Sequence, residues 1–234
     1  MPVDFYRPCR LIGARTTVFA DECQRITDTQ STQAEIGTIL AGSNRHDLTV
    51  RHRTTRQVAA LAARLHVGGH PPALPDRQGP VPELHRYGSA HQVAERIAEY
   101  AGAHPAHRVG VVLRHTRQQM DLVAHMEHRL TPACLQAYVG QSTGRYRALH
   151  LDRPGATVLN RASAKGLGFD VVFVPDTHLD AGEDPAAAGP RMRYYVLITR
   201  AGSRLFLGYA GESEPPLPSA VLQAELARGA PHRR

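Results

Sequence analysis

Short continuous runs of β-branched and aliphatic residues alternate along this chain with stretches whose apolar positions recur every three or four residues. Val109-Gly110-Val111-Val112-Leu113 and Asp170-Val171-Val172-Phe173-Val174 have no regular polar face, so each reads as a strand covered on both sides. Val58, Leu61, Ala62 and Leu65 share one helical face, as do Val93, Ile97 and Tyr100. Further strands are expected over 16–20, 47–50, 84–87, 135–139, 156–159 and 204–209, and further helices over 32–40, 116–130 and 191–201. The spacing puts the other helices at 55–65, capped by Thr54 or Thr55, and at 89–101, capped by Ser89. Strand and helix in alternation predict an α/β fold with a doubly wound, mostly parallel sheet.

The Pro- and Gly-containing passages 68–82 and 180–190 read as surface loops, and the chain from Pro215 onward as a weakly structured tail. Residues 47–212 account for the doubly wound domain, and 213–234 for a flexible tail. Residues 1–46 hold one strand, one turn and one helix, too little for an independent unit. The strand at 16–20 therefore docks on the main domain or recruits a partner, either a complementary half or a second copy.

No apolar run approaches the roughly 20 residues that cross a bilayer, and Met1-Pro2-Val3-Asp4 does not open a signal peptide. Cys9, Cys23 and Cys134 are scattered and odd in number, which argues against a disulfide framework or a zinc site and for a reducing cytoplasm. Fourteen histidines occur without metal-ligand spacing. A formal charge of +7 favours an anionic partner. Of 28 basic residues only Lys165 is a lysine, so it stands apart from the arginine-rich background.

Four blocks carry the chemistry. They are Val18-Phe19-Ala20-Asp21-Glu22-Cys23-Gln24-Arg25-Ile26; Arg51-His52-Arg53-Thr54-Thr55; Thr157 to Asp170, containing Ser163-Ala164-Lys165-Gly166-Leu167-Gly168; and Tyr194-Tyr195-Val196-Leu197-Ile198-Thr199-Arg200-Ala201. In this order and spacing they resemble the C-terminal half of UvrD/Rep-like superfamily 1 DNA helicases, over about residues 15–210. The resemblance implies a RecA-like P-loop NTPase fold, with 1–46 as a remnant of a first RecA-like domain and 47–212 as the second.

Within that resemblance the first block has two registers. Asp21-Glu22-Cys23-Gln24 looks like a magnesium-binding DExQ box, with Asp21 on the metal and Glu22 as general base. No GxxxxGK[ST] phosphate loop occurs in the sequence, however, and Arg51 follows Gln24 by only 27 positions. That context favours the GDxxQxI sensor motif, with Gln24 sensing the γ-phosphate. Everything upstream of a sensor motif would then be missing. That leaves out the loop whose N–H groups and lysine hold phosphates, and whose hydroxyl holds magnesium.

By the same resemblance His52 stacks on adenine, Arg53 contacts the γ-phosphate, Gly166 belongs to the nucleotide-binding turn, and Arg200 is an arginine finger. Arg53, Gln24 and Arg200 would be the catalytic set. Ser163 and Lys165 would contact the DNA backbone. ATP and Mg2+ are implied as ligands, and single-stranded DNA as a weak, salt-sensitive partner. The departures all weaken binding: His52 replaces a tyrosine, Gly168 replaces a ribose-contacting carboxylate, and Thr27 and Thr29 stand where base-stacking aromatics are usual. The expected activity is that of an ATP-dependent DNA helicase domain without hydrolysis of its own. The alternatives are a non-enzymatic DNA-binding or regulatory module and a truncated helicase reading frame.

Overall fold

The computed structural model describes residues 3–12, 17–19, 31–40, 44, 46, 53–68, 70–139, 149–218 and 227–228. Seven parallel strands form one sheet: β1 (Glu83–Arg86), β2 (Arg108–Leu113), β3 (Leu135–Ala137), β4 (Gly155–Asn160), β5 (Phe169–Val174), β6 (Ala201–Tyr209) and β7 (Ala227–Arg228). Their spatial order is β3-β4-β2-β5-β6-β1-β7. β2 and β5 lie in the centre, paired Val109↔Val171 and Val111↔Phe173, which accounts for their unbroken apolar sequences.

Side chains alternate across this sheet, except at the start of β5, where a register shift between Phe169 and Val171 turns Phe169 to the face of Val172. Val109, Val111, Val171, Phe173 and Phe206 face the helices α4 (Ala90–Ala103) and α5 (Thr116–Glu127). Val112, Val172, Val174, Leu205 and Leu207 face α3 (Arg56–Arg64) and α6 (Ala188–Ile198), the helices that complete the opposite layer. The period of two along the strands thus feeds two separate cores. α3 commits Val58, Leu61 and Ala62, all fully buried, to its layer. Such burial contributes about 1.5–3 kcal/mol for each large side chain.

Local sequence fixes several boundaries. The Ser89 hydroxyl accepts from Gln92 N at 3.3 Å and caps α4. Thr32 and Glu35 form a capping box on the short helix α2 (Gln33–Ile39), as the pattern over 32–40 implies. The short helix α1 (Tyr6–Leu11) has no counterpart among the sequence expectations.

Three expectations are corrected. Thr17–Phe19 has no regular structure, and Phe19 is 88% exposed; among the described residues no neighbouring strand satisfies its backbone. The loop expected over 180–190 begins at a buried residue, Asp180, and ends inside α6. The stretch read as weakly structured places Leu217 in the α3/α6 core and β7 beside β1. The strand expected at 47–50 lies outside the described residues.

Candidate functional site

Three of the four blocks meet where β5 and β6 begin. Thr55 occupies the cap position of α3, yet its side chain does not cap the helix. Its N–H donates to Gly202 O at 3.0 Å and its hydroxyl to Ser203 O at 3.4 Å, which ties the start of α3 to the start of β6. Arg77 holds the same segment from outside, donating from Nη1 to Arg53 O at 3.1 Å while its own carbonyl accepts from Arg56 N at 2.7 Å. Gly202 permits the close approach of β5 on the other side: a Cβ there would lie 3.1 Å from Phe169 O. Arg53 is thereby fixed at the mouth of the β5–β6 edge, and its guanidinium lies across Gly168, in the space a Cβ would take.

Beside it stands an ion pair not anticipated from the sequence. Arg108, opening β2, donates to Asp170 Oδ2 from its backbone N at 2.9 Å and from Nε at 3.3 Å, and to Oδ1 from Nη2 at 3.3 Å. Burial pushes the Asp170 carboxyl up, but the hydrogen bonds and charge of Arg108 outweigh it and hold the group below the usual carboxylate range. The Arg53 guanidinium is pushed below its ordinary value, first by burial and then by Arg108, with Asp170 opposing. Two guanidinium groups and one carboxylate make this edge electropositive, suited to an anion.

Arg200 reaches the same edge in a different state. It is buried, and it donates from Nε to Val196 O at 2.9 Å, from Nη1 to Leu167 O at 3.1 Å and from Nη2 to Thr199 Oγ1 at 3.1 Å. These bonds pin the end of α6 to the third-block turn. Ser163 and Lys165 lie on that turn, which leaves β4 at Asn160 and returns to the opposite end of the sheet at Gly168. Asn160 Oδ1 accepts from Ser163 N at 2.7 Å, Ala164 is fully buried, and Lys165 and Gly166 are exposed. Gly166 has φ +82°, a left-handed conformation that favours glycine. Gln24, His52, Asp21 and Glu22 lie outside the described residues. Among the described residues no group of three or more His, Cys, Asp or Glu could hold a metal ion.

At the other end of the sheet sits a second polar cluster that sequence reasoning missed. Asp180 accepts from Arg161 Nη1 at 2.8 Å, from the Tyr194 hydroxyl at 2.7 Å and from Arg114. Asp176 accepts from Arg114 N at 2.5 Å and from Arg161 Nη2 at 3.1 Å. Burial acts against the Arg161 charge, but Asp176 and Asp180 more than compensate and raise its pKa. Tyr194 is pushed well above the ordinary phenol value, by burial first and Asp180 second. The available signal was the placement of Arg114, Arg161 and Asp176 just past the ends of β2, β4 and β5.

No family model and no curated protein matches the chain in sequence. Among solved structures, the C-terminal domain of a possible DNA helicase from Lactobacillus plantarum WCFS1 is similar with a TM-score of 0.56 at 20% identity, covering 76% of this chain and 99% of that one. S. cerevisiae Dbp5, bound to RNA and ADP BeF3, gives 0.48 at 12% identity over 86% of this chain and 50% of that one. Arterivirus nonstructural protein 10, a helicase in complex with DNA, gives 0.40 at 12% identity over 76% and 37%. No helix among the described residues is long and apolar enough to cross a membrane. The chain has the α/β, parallel-sheet fold of RecA-like helicase C-terminal domains.

Proposed function

We propose that this chain is a UvrD/Rep-like second RecA-like domain that binds nucleotide phosphates at Arg53 and single-stranded DNA, weakly, at the Ser163–Lys165 turn. The observation that carries this reading is the meeting of Arg53 and Gly168, from the second and third blocks, with Gly202, directly after the fourth, at one sheet edge. An arginine is a permanently charged fork matched to phosphate oxygens. Within this reading ATP arrives with Mg2+, and a phosphate-loop half supplied in trans provides the magnesium-holding groups. By the resemblance Gln24 has the γ-phosphate-sensing role and His52 the adenine-stacking role, and the working compartment is the cytoplasm. Phe5, Leu11, Ile12 and Phe19, between 48% and 88% exposed, are apolar side chains that such a partner or a second copy would cover.

The purified chain is expected to bind ATP, to lose that binding in Arg53→Ala, and to show no turnover with or without single-stranded DNA. DNA-stimulated hydrolysis abolished by Arg200→Ala would refute the non-hydrolysing reading. It would also restore Asp21 and Glu22 as metal ligand and base, which Glu22→Gln then tests.

A second reading, a non-enzymatic module that kept the fold, is favoured by Arg200. Its guanidinium serves Val196, Leu167 and Thr199 in the way a structural arginine does. Under this reading Arg200→Ala lowers the melting temperature and leaves ATP affinity unchanged.

A further inference from the structure

We infer that Gly168 sets the ligand class of the Arg53 site: a polyphosphate chain, read by its charge and not by the sugar or base it carries. This rests on the reading of Arg53 as a phosphate ligand and specifies what that ligand is.

The geometry at residue 168 comes first. The Arg53 guanidinium fills the space of a Cβ on Gly168, so a side chain at 168 and a seated Arg53 exclude one another. The third-block turn therefore offers the ligand a flat cation and no directional side chain of its own at this position.

Charge comes second. Arg108 spends its guanidinium on Asp170, whereas the Arg53 guanidinium makes no hydrogen bond or ion pair among the described residues. Two cations thus share one carboxylate, and the donor fork of Arg53 is left for an anion with several oxygens. Burial and Arg108 both act against the Arg53 charge, and a polyanion offsets both.

The third observation is Thr54, adjacent to Arg53, which is 3% exposed with a hydroxyl that has no hydrogen-bond partner. A buried hydroxyl of this kind is ordinarily completed by water or a ligand.

Calorimetric titration of the full chain with inorganic tripolyphosphate, ATP and dATP at low ionic strength tests the inference. The three affinities should agree within about threefold, because the charged chain is common to all of them. Gly168→Ala should weaken all three by about tenfold, Arg53→Ala should match it, and the double variant should lose little more than either single one. The new methyl meets only the tip of a flexible side chain, and an unchanged melting temperature confirms that the fold is kept. Should Gly168→Ala melt early, the exposed Arg53→Ala alone carries the comparison: equal losses for the three ligands support the inference, and a loss confined to ATP and dATP overturns it.

ATP binding more than about threefold tighter than tripolyphosphate would overturn the inference while leaving Arg53 as a phosphate ligand, since that discrimination needs contacts beyond the phosphates. Full affinity in a folded Gly168→Ala would do the same. If none of the three ligands binds the parent chain, the Arg53 reading itself fails and takes the inference with it.

Discussion

Replacing Asp180 with alanine removes the carboxylate on which one end of the sheet is assembled. Asp180 is 1% exposed and accepts from Arg161, Arg114 and the Tyr194 hydroxyl. Stranding a buried charge in this way costs about 3–5 kcal/mol when nothing compensates. Here Arg161, whose side chain is 13% exposed, keeps Asp176 at 3.1 Å. Arg114 is 31% exposed and keeps Glu183 at 3.2 Å. Those remaining partners place the expected loss at the low end, about 3 kcal/mol, including the orphaned Tyr194 hydroxyl. For a domain of this size each kcal/mol lowers the melting temperature by about 2–4 °C, so Asp180→Ala should melt about 6–12 °C early. Asp180→Asn keeps the volume and an acceptor for Tyr194 and should lose about half as much free energy. Urea unfolding and thermal melts followed by far-ultraviolet circular dichroism measure both. Glu99→Ala is the control, because its partner Arg96 is 4.0 Å away at the surface and the change should stay within about 0.5 kcal/mol. If Asp180→Ala proved no more harmful than Glu99→Ala, the buried network would have no energetic weight, and the account of that sheet end would be wrong.

Leu61→Ala, at a fully buried position in the α3 layer, should cost about 2–5 kcal/mol in the same unfolding assay. Asp170 has a lowered folded pKa, so its contribution is present above the unfolded value of about 3.9 and is lost as pH falls through the folded value; urea unfolding should therefore find Asp170→Asn less stable than the parent at neutral pH, with the difference shrinking towards zero in acid. Tyr194 has a raised pKa, so its neutral form stabilises the fold below about pH 10 and that contribution is lost as pH rises further; phenolate absorbance should show it ionising only as the protein unfolds. Single-stranded DNA binding should weaken with salt, and Lys165→Ala should reduce the slope of log affinity against log salt by about 0.7, measured by fluorescence anisotropy.

Much of the framework follows from local sequence. Val58, Leu61, Ala62 and Leu65 announce α3 because residues three and four apart share a helical face, and all four are buried as that face requires. Val109 to Leu113 announces a central strand because only a doubly covered strand tolerates an unbroken apolar run. The turn containing Lys165 uses a left-handed glycine at 166, which the letters mark, whereas the bare backbone at 168 has a reason only once Arg53 lies across it. Partnerships across the sheet are not local. Arg108 finds Asp170 across 62 residues because β2 and β5 are neighbours, and no periodicity in either segment encodes that adjacency. Asp180 reads as a loop residue by composition, yet β2, β4 and α6 bring Arg114, Arg161 and Tyr194 around it, and burial becomes affordable only through those partners. Arg200 carries the letters of an arginine finger, but its guanidinium is settled by the carbonyls of Val196 and Leu167, one supplied by its own helix and the other by a turn 33 residues away. Sequence determines which faces must be covered; the tertiary packing decides which charges meet once they are.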